Sequence, residues 1–213
     1  DAVHFPVAFP EVFLRERAGF DCILGNPPWE EATVEEDEFW TRHFPGFVTH
    51  SQSKQKKLRK KYKEERPDLV SKYEQEVEKA EGVRSMLLNG PYPGMGAGDP
   101  DLYKAFSWRF WHLCRPRGKI GVVLPRSALI AKGSSEWRSQ VINGGDVLDA
   151  TLITNTGNWA FNDMEARYTI GLLSVQKTGR PGGVSLRGPF SSLNEFQDGR
   201  SNDPVVFTND QFQ

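Results

Sequence analysis

The chain reads as an α/β protein, a sheet of mostly parallel strands interleaved with helices. Three observations predict it. Short apolar runs bounded by turn residues, Cys22–Leu24 and Lys119–Pro125, have the pattern of parallel strands buried on both faces. Segments with apolar residues at helical spacing lie between the strand-like runs. Two further strand-like runs, Val147–Thr154 and Tyr168–Gln176, follow one another without a good helix between them, which predicts an antiparallel strand at one end of the sheet.

Taken in order, His4 to Phe13 carry several prolines and aromatics and read as an extended lead-in. The first strand is Cys22, Ile23 and Leu24. Gly25-Asn26-Pro27-Pro28-Trp29 then makes a stiff turn, because each proline fixes φ, lacks a backbone N–H and pushes the residue before it towards extended backbone. The acidic stretch Glu30–Glu38 begins a helix whose apolar contacts are Phe39 and Trp40, and Gly46 breaks it. A very basic stretch follows, with Lys54, Lys56, Lys57, Arg59, Lys60, Lys61, Lys63 and Arg66. Within it Leu58 and Tyr62 stand at helical spacing. Pro67 stops that helix and opens the next, since proline suits a first helical turn. Leu69, Tyr73, Val77 and Ala80 form the second helix's apolar stripe. The pair is a helical hairpin inserted over about 51–89. Its lysines have two readings: a solvated face, or an arm that contacts phosphates and adds affinity without sequence specificity.

Asn89 to Pro100 is rich in glycine and proline. Gly94-Met95-Gly96-Ala97-Gly98 has the composition of a nucleotide-binding glycine loop, but no strand precedes it and no acidic residue follows at the right distance, so it reads as a mobile connector. Asp99 or Asp101 caps a helix from Leu102 to Cys114, with Tyr103, Phe106, Phe110 and Leu113 at helical spacing. Arg115-Pro116-Arg117-Gly118 ends it. Ser134–Ile142 is another helix, with Trp137 and Val141 on one side. Tyr168–Gln176 reads as the last convincing strand. After Gly179-Arg180-Pro181-Gly182-Gly183 the composition turns polar, as short strands or a linker into a separate domain over 179–213 would.

With 213 residues the chain can build one domain with a real core, or one and a fraction. A net charge of −1 gives no global basic field, so a nucleic-acid reader needs a local patch. The two cysteines, Cys22 and Cys114, lie far apart in apolar contexts. They form neither a disulfide framework nor a zinc spacing and read as reduced core residues of a cytoplasmic protein. The four histidines show no ligand-type pair, which argues against a metal. No apolar run reaches membrane-spanning length and no signal peptide is present, so no membrane partner is expected. The chain begins at Asp1 with residues that read as interior sequence, as expected of a piece of a longer protein.

The turn after the first strand carries the chemistry. Carboxyl ends of strands are where open α/β sheets bind ligands. Here the turn displays two acceptors, the Asn26 side-chain oxygen and the Pro27 carbonyl, beside the aromatic face of Trp29. A planar heterocyclic amine can donate both hydrogens to the acceptors while its ring stacks on the indole. The exocyclic amine of adenine is a poor nucleophile because its lone pair is delocalised into the ring. Two fixed acceptors favour a nitrogen closer to tetrahedral, with its lone pair free to attack and no general base needed in the first step.

This segment resembles the catalytic motif of amino-methyltransferases that use S-adenosylmethionine, in particular the adenine-specific DNA methyltransferases of bacteria, whose motif is Asn/Asp-Pro-Pro-aromatic. The Asn-Pro-Pro-Trp form resembles the subgroup in which the cofactor-binding half precedes the catalytic half. Phe9-Pro10-Glu11-Val12-Phe13 resembles the lead-in of large fused restriction-modification and phage-defence methyltransferases. The resemblance covers about Phe5 to Lys177. It implies that residues 1–178 are the C-terminal, catalytic half of a Rossmann-like class I methyltransferase sheet, and that 179–213 is a linker or the start of a target-recognition domain. The strand pair after Val147 resembles the hairpin that ends that fold.

By the same resemblance Asn26, Pro27, Pro28 and Trp29 are catalytic, and Trp29 and Phe161 stack on the two faces of the flipped base. Trp159 competes with Phe161 in the segment Trp159-Ala160-Phe161-Asn162. Asp101-Leu102-Tyr103-Lys104-Ala105-Phe106 resembles the helix that closes over the cofactor: Pro28 and Phe106 flank its adenine, and Asp101 and Leu102 order the loop. Lys56, Lys57, Lys60 and Lys61 are the candidate contacts to the DNA backbone. The implied partners are double-stranded DNA and a missing N-terminal cofactor-binding half, since the glycine-rich cofactor loop of the family is absent and most of the S-adenosylmethionine site with it. An order with the cofactor half downstream stays open. Without that half, Cys22–Leu24 becomes an apolar edge, expected to pair with another chain, to be covered by His4–Phe13 or to be disordered. Two alternatives remain: a methyltransferase of a glutamine amide or RNA base, and a non-catalytic DNA-binding module acting through the lysine-rich hairpin.

Overall fold

Six strands build one mixed sheet: β1 (Phe20–Gly25), β2 (Cys114–Pro125), β3 (Asp146–Thr154), β4 (Thr169–Gln176), β5 (Val184–Phe190) and β6 (Val205–Phe207), in the order β1-β2-β4-β3-β5-β6. The computed structural model describes residues 3–96, 100–162, 164, 168–208 and 211. β1 is parallel to β2, β4 is antiparallel to both β2 and β3, and β5 is parallel to β3. β1, β2, β3 and β5 therefore point the same way. The α/β class holds. The antiparallel strand, expected at one end, lies in the interior as β4, which folds back on β3 and inserts between it and β2.

Contacts divide the chain into two units: Asp1–Glu30 with Tyr92–Gln213, and Glu31–Pro91. In the first, α1 (Phe5–Ala8) and α2 (Pro10–Phe13) replace the extended lead-in. A proline stands in the first turn of each, where its missing N–H costs nothing. The rings of Phe5, Phe9 and Phe13 surround Phe20 at centroid distances of 5.9, 5.8 and 5.3 Å. They cover only the start of β1. β1 is the outermost strand, Cys22 is exposed and Leu24 is 80% exposed, so Cys22 is no core residue and the buried strand expected there is an edge strand, ordered rather than disordered and not covered by His4–Phe13 beyond its start.

Helix α6 (Leu102–Leu113) buries Tyr103, Lys104, Ala105, Ser107, Trp108, Trp111 and Leu113. The expected stripe of Tyr103, Phe106, Phe110 and Leu113 is thus half right: Phe106 is exposed and Phe110 half-buried, their rings tilted by 54° with centroids 6.0 Å apart. The polar residues inside are paired. Lys104 meets Asp101 at 3.0 Å, and the Ser107 hydroxyl donates to the Tyr103 carbonyl at 2.7 Å. At the other end the Lys177 ammonium donates to the carbonyls of Trp111 and Cys114 at 2.9 and 3.0 Å, closing the last turn of α6. The segment Arg115–Gly118, expected to be a helix end, already belongs to β2. The connector before α6 is packed in place where it is described: Met95 is buried and the Trp108 indole N–H donates to the Pro93 carbonyl at 3.0 Å. Ala97, Gly98 and Asp99 lie outside the described residues.

Short helix α7 (Arg126–Ile130) follows β2, and α8 (Ser135–Gly144) places Trp137 and Val141 in the core, as their spacing predicts. The core itself joins Trp108, Trp111, Ile120, Val122, Leu124, Val141, Val147, Leu173 and Val175, with Ile23, Trp29 and Phe110 packed against it. The sheet does not stop at Gln176. The polar segment after Gly183 forms β5, α9 (Leu193–Gly199) and β6, and its strands join the same sheet.

The second unit holds α3 (Glu36–His43), α4 (Gln52–Glu65) and α5 (Pro67–Asn89). Phe39, Trp40, Phe47 and Leu69 are its core, with Phe44, Leu58, Tyr62 and Tyr73 against them. The Phe44 and Tyr62 rings stack at 3.7 Å. Pro67 opens α5 as its position predicts. Among the described residues no helix is long and apolar enough to cross a membrane, and no three histidine, cysteine or acidic side chains converge as a metal site would need.

Candidate active site

The geometry begins with where β1 stops. Gly25 is level with Val122, while β2 continues to Pro125, so Asn26–Trp29 turns away beside the upper part of β2 at the carboxyl edge of the parallel strands. Pro27 is buried, Trp29 is half-buried against the main core, and Asn26 and Pro28 are exposed. Among the described residues neither the Asn26 side chain nor the Pro27 carbonyl has a hydrogen-bond partner, and the buried Trp29 indole N–H has none either. The two acceptors singled out from the sequence are therefore free.

Helix α6 brackets this turn. At its start, the Leu102 N–H donates to the Glu30 carbonyl at 3.0 Å, directly after the motif. One turn before its end, Phe110 lies on Gly25, and a Cβ built there would stand 2.9 Å from the ring carbon Cζ of Phe110. Phe106 sits between these two attachments, 39% exposed and against Phe110. Asp101 takes the cap position of α6, but its carboxylate is spent on Lys104, not on a helix N–H. Of the four residues expected to meet a cofactor, Asp101 and Leu102 are thus engaged in holding the loop, while Pro28 and Phe106 present open surface. Phe110 was not singled out for the site from the sequence. Its signal was Gly25, since a glycine closing a strand marks a close approach.

The second aromatic comes from the β3–β4 connection, at the same sheet edge. β3 ends at Thr154, which pairs with Thr169 at the start of β4. Trp159 is tied into the structure: its indole N–H donates to the Thr154 carbonyl at 2.7 Å and its ring meets Phe196 of α9 at 6.0 Å. Phe161 is held by its main chain, through the Asn155 side chain, and its ring is half-buried. Of the two competitors, Phe161 is the one whose side chain has no ring or hydrogen-bond partner among the described residues. Asn155 is a residue that sequence reasoning missed, because an asparagine before Thr-Gly-Asn reads as ordinary turn chemistry.

In the helical hairpin the basic residues divide into two sets. Arg59 meets Glu36 and Asp37 at 3.2 and 2.6 Å, and Lys63 meets Glu36 at 2.7 Å. Burial pushes the Glu36 carboxyl up. Hydrogen bonds from Lys63 and Trp40, with the charges of Lys63 and Arg59, outweigh it and hold the group below the usual glutamate range. Lys56, Lys57, Lys60 and Lys61 are exposed. Lys60 and Lys61 make only long contacts of 4.0 and 3.7 Å to Glu64 and Glu65.

No family model and no curated protein matches this chain. Three solved structures are similar in part. The modification subunit of a proposed type I restriction enzyme from Vibrio vulnificus YJ016 is 14% identical over 90% of this chain and 34% of its own, with a TM-score of 0.49. The ATP-dependent type ISP restriction-modification enzyme LlaBIII, bound to DNA, is 13% identical over 89% of this chain and 12% of its own, with a TM-score of 0.43. A DrdV–DNA complex is 12% identical over 90% of this chain and 17% of its own, with a TM-score of 0.41. The chain spans no more than 34% of the length of any of them. Similarity this slight assigns no function.

Proposed function

We propose that this chain is the catalytic half of a site-specific, adenine-specific DNA methyltransferase, part of a restriction-modification or phage-defence enzyme. The observation that carries the reading is the turn itself. Asn26 and Pro27 offer two unpartnered acceptors at the carboxyl edge of a parallel strand, in a turn fastened at Gly25 by Phe110 and at Glu30 by Leu102. The resemblance of Asn26-Pro27-Pro28-Trp29 to the amino-methyltransferase motif supplies the reaction class.

In this reading the Asn26 side-chain oxygen and the Pro27 carbonyl each accept one hydrogen of the exocyclic amine of an adenine taken out of the duplex. They hold the nitrogen so that its lone pair points at the methyl group instead of into the ring. The effect is preorganised electrostatics, and the fixed proline backbone keeps the acceptors from reorganising. S-adenosylmethionine, when bound, supplies a methyl carbon activated by the adjoining sulfonium. Pro28 and Phe106 are the residues of this chain that would flank its adenine, and their open surface beside the motif fits a planar ring. Trp29 and Phe161 would lie on the two faces of the target base and offset part of the unstacking cost of a few kcal/mol. Lys56, Lys57, Lys60 and Lys61 would neutralise backbone phosphates.

The test is methyl transfer by the intact protein from labelled S-adenosylmethionine to duplex DNA, with the product nucleosides separated and identified by mass. Label in N6-methyladenine supports the reading. Label only in protein, in RNA or at cytosine contradicts it.

A further inference from the structure

We propose that Asn155 is the positioning residue of the aromatic clamp, an inference that rests on the methyltransferase reading above. Asn155 stands at the carboxyl end of β3 and is 0% exposed. Its side-chain oxygen accepts the N–H groups of Ala160 and Phe161 at 3.2 and 3.0 Å. Its side-chain nitrogen donates to the carbonyls of Phe161 and Met164 at 2.8 and 3.2 Å. Both sides of the Phe161 peptide unit are therefore held by one buried amide.

The amide is itself fixed. The Asn155 N–H donates to the Tyr168 carbonyl at 3.1 Å, next to the start of β4, and its carbonyl accepts from the Asn158 N–H at 2.9 Å. Gly157 and Asn158 adopt left-handed backbone, with φ of 70° and 58°, which folds the chain back over the amide. On the outside Trp159 is pinned to Thr154 and Phe196. The Phe161 ring is half-buried and has no ring or hydrogen-bond partner among the described residues, at the carboxyl edge of the sheet that also carries Asn26.

Only asparagine, or a longer glutamine, offers two acceptor and two donor positions in one neutral planar group. Aspartate lacks the donor and would bury a charge, and alanine lacks both. Because the Asn155 amide is fully buried and supplies all four of these bonds, removing it releases the main chain that carries Phe161. Asn155 touches neither base nor cofactor and acts through Phe161.

Two readouts on the intact protein test this. The first needs no activity: amide hydrogen exchange at Ala160 and Phe161 should quicken by about tenfold or more in Asn155→Ala while amides of β2 and β4 keep their protection. Unchanged exchange at those two amides overturns the proposal. The second is methyl transfer to duplex DNA. Asn155→Ala should lower kcat by roughly ten- to a hundredfold, as Phe161→Ala does, with KM for S-adenosylmethionine unchanged. The double variant should fall within about twofold of Phe161→Ala alone, since the two act as one unit. A multiplicative loss in the double variant overturns the proposal. If Asn155→Ala fails to fold, Asn155→Leu, which fills the same space without donor or acceptor, is read by the same criteria. Wild-type protein that transfers no methyl to DNA removes the clamp's purpose and sinks the function itself, an outcome distinct from failure of the exchange test.

Discussion

The Phe110 ring lies directly on the backbone of Gly25, the last residue before Asn26, so that helix α6 sets the height at which the Asn-Pro-Pro turn leaves the sheet. With the Leu102–Glu30 hydrogen bond on the far side, the turn is gripped at both ends by one helix.

Gly25→Ala should therefore destabilise the protein by about 1–3 kcal/mol, the usual cost of overpacking a filled site. Chemical denaturation measures it. Phe110→Leu in the same chain should recover part of the loss, and a neutral Gly25→Ala would show that the ring does not rest on this backbone.

Phe106 separates surface from core. As an exposed residue outside the buried stripe, Phe106→Ala should change unfolding free energy by no more than about 0.5 kcal/mol. Affinity for S-adenosylmethionine, measured by calorimetry on the intact protein, should weaken by about tenfold, in line with loss of a stacking ring. A large stability loss with unchanged affinity would place Phe106 in the core instead.

The two sets of basic residues in the hairpin should behave differently. Replacing Lys56, Lys57, Lys60 and Lys61 with glutamine should make the dependence of log DNA affinity on log salt shallower by about 3 to 4, with binding weakened equally on all sequences. Arg59→Gln or Lys63→Gln should leave that slope alone and loosen the hairpin, because their partners are Glu36 and Asp37. A slope unchanged by the four lysine substitutions would remove the phosphate-contact role.

Acid should act on the hairpin through Glu36. Its carboxyl is held below the usual glutamate range in the folded state, so the unfolded state takes up protons first as pH falls. The stabilisation is complete above the ordinary glutamate pKa and is lost as pH drops through the lowered folded value. Hydrogen exchange of α4 amides should quicken over that window in the wild type and show a flatter response in Glu36→Gln. Identical profiles would deny Glu36 this role.

The sheet and the motif were legible in sequence because their signals are local. The strand at Cys22–Leu24, the run Lys119–Pro125 and the proline start of α5 each follow from adjacent residues. The buried face of α6 was not, since aromatics occupy Tyr103, Phe106, Trp108, Phe110 and Trp111. Both sides of the helix then look apolar, and Lys104 and Ser107 are buried only because Asp101 and the Tyr103 carbonyl satisfy them. The lead-in misled because Pro6 and Pro10 were read as extended where they start helical turns. β5 and β6 carry little apolar alternation, β5 joining the sheet on β3 and β6 on β5 through main-chain pairing. Asn155 escaped because its work is done by long-range folding of the loop onto one amide.

The most direct measurement is single-turnover methyl transfer to adenine in duplex DNA by Asn26→Ala in the intact protein. With the Asn26 acceptor gone, the rate of the chemical step should fall by about a hundred- to a thousandfold while affinity for DNA and for S-adenosylmethionine stays near wild type. Methylation of adenine at the wild-type rate would contradict the account.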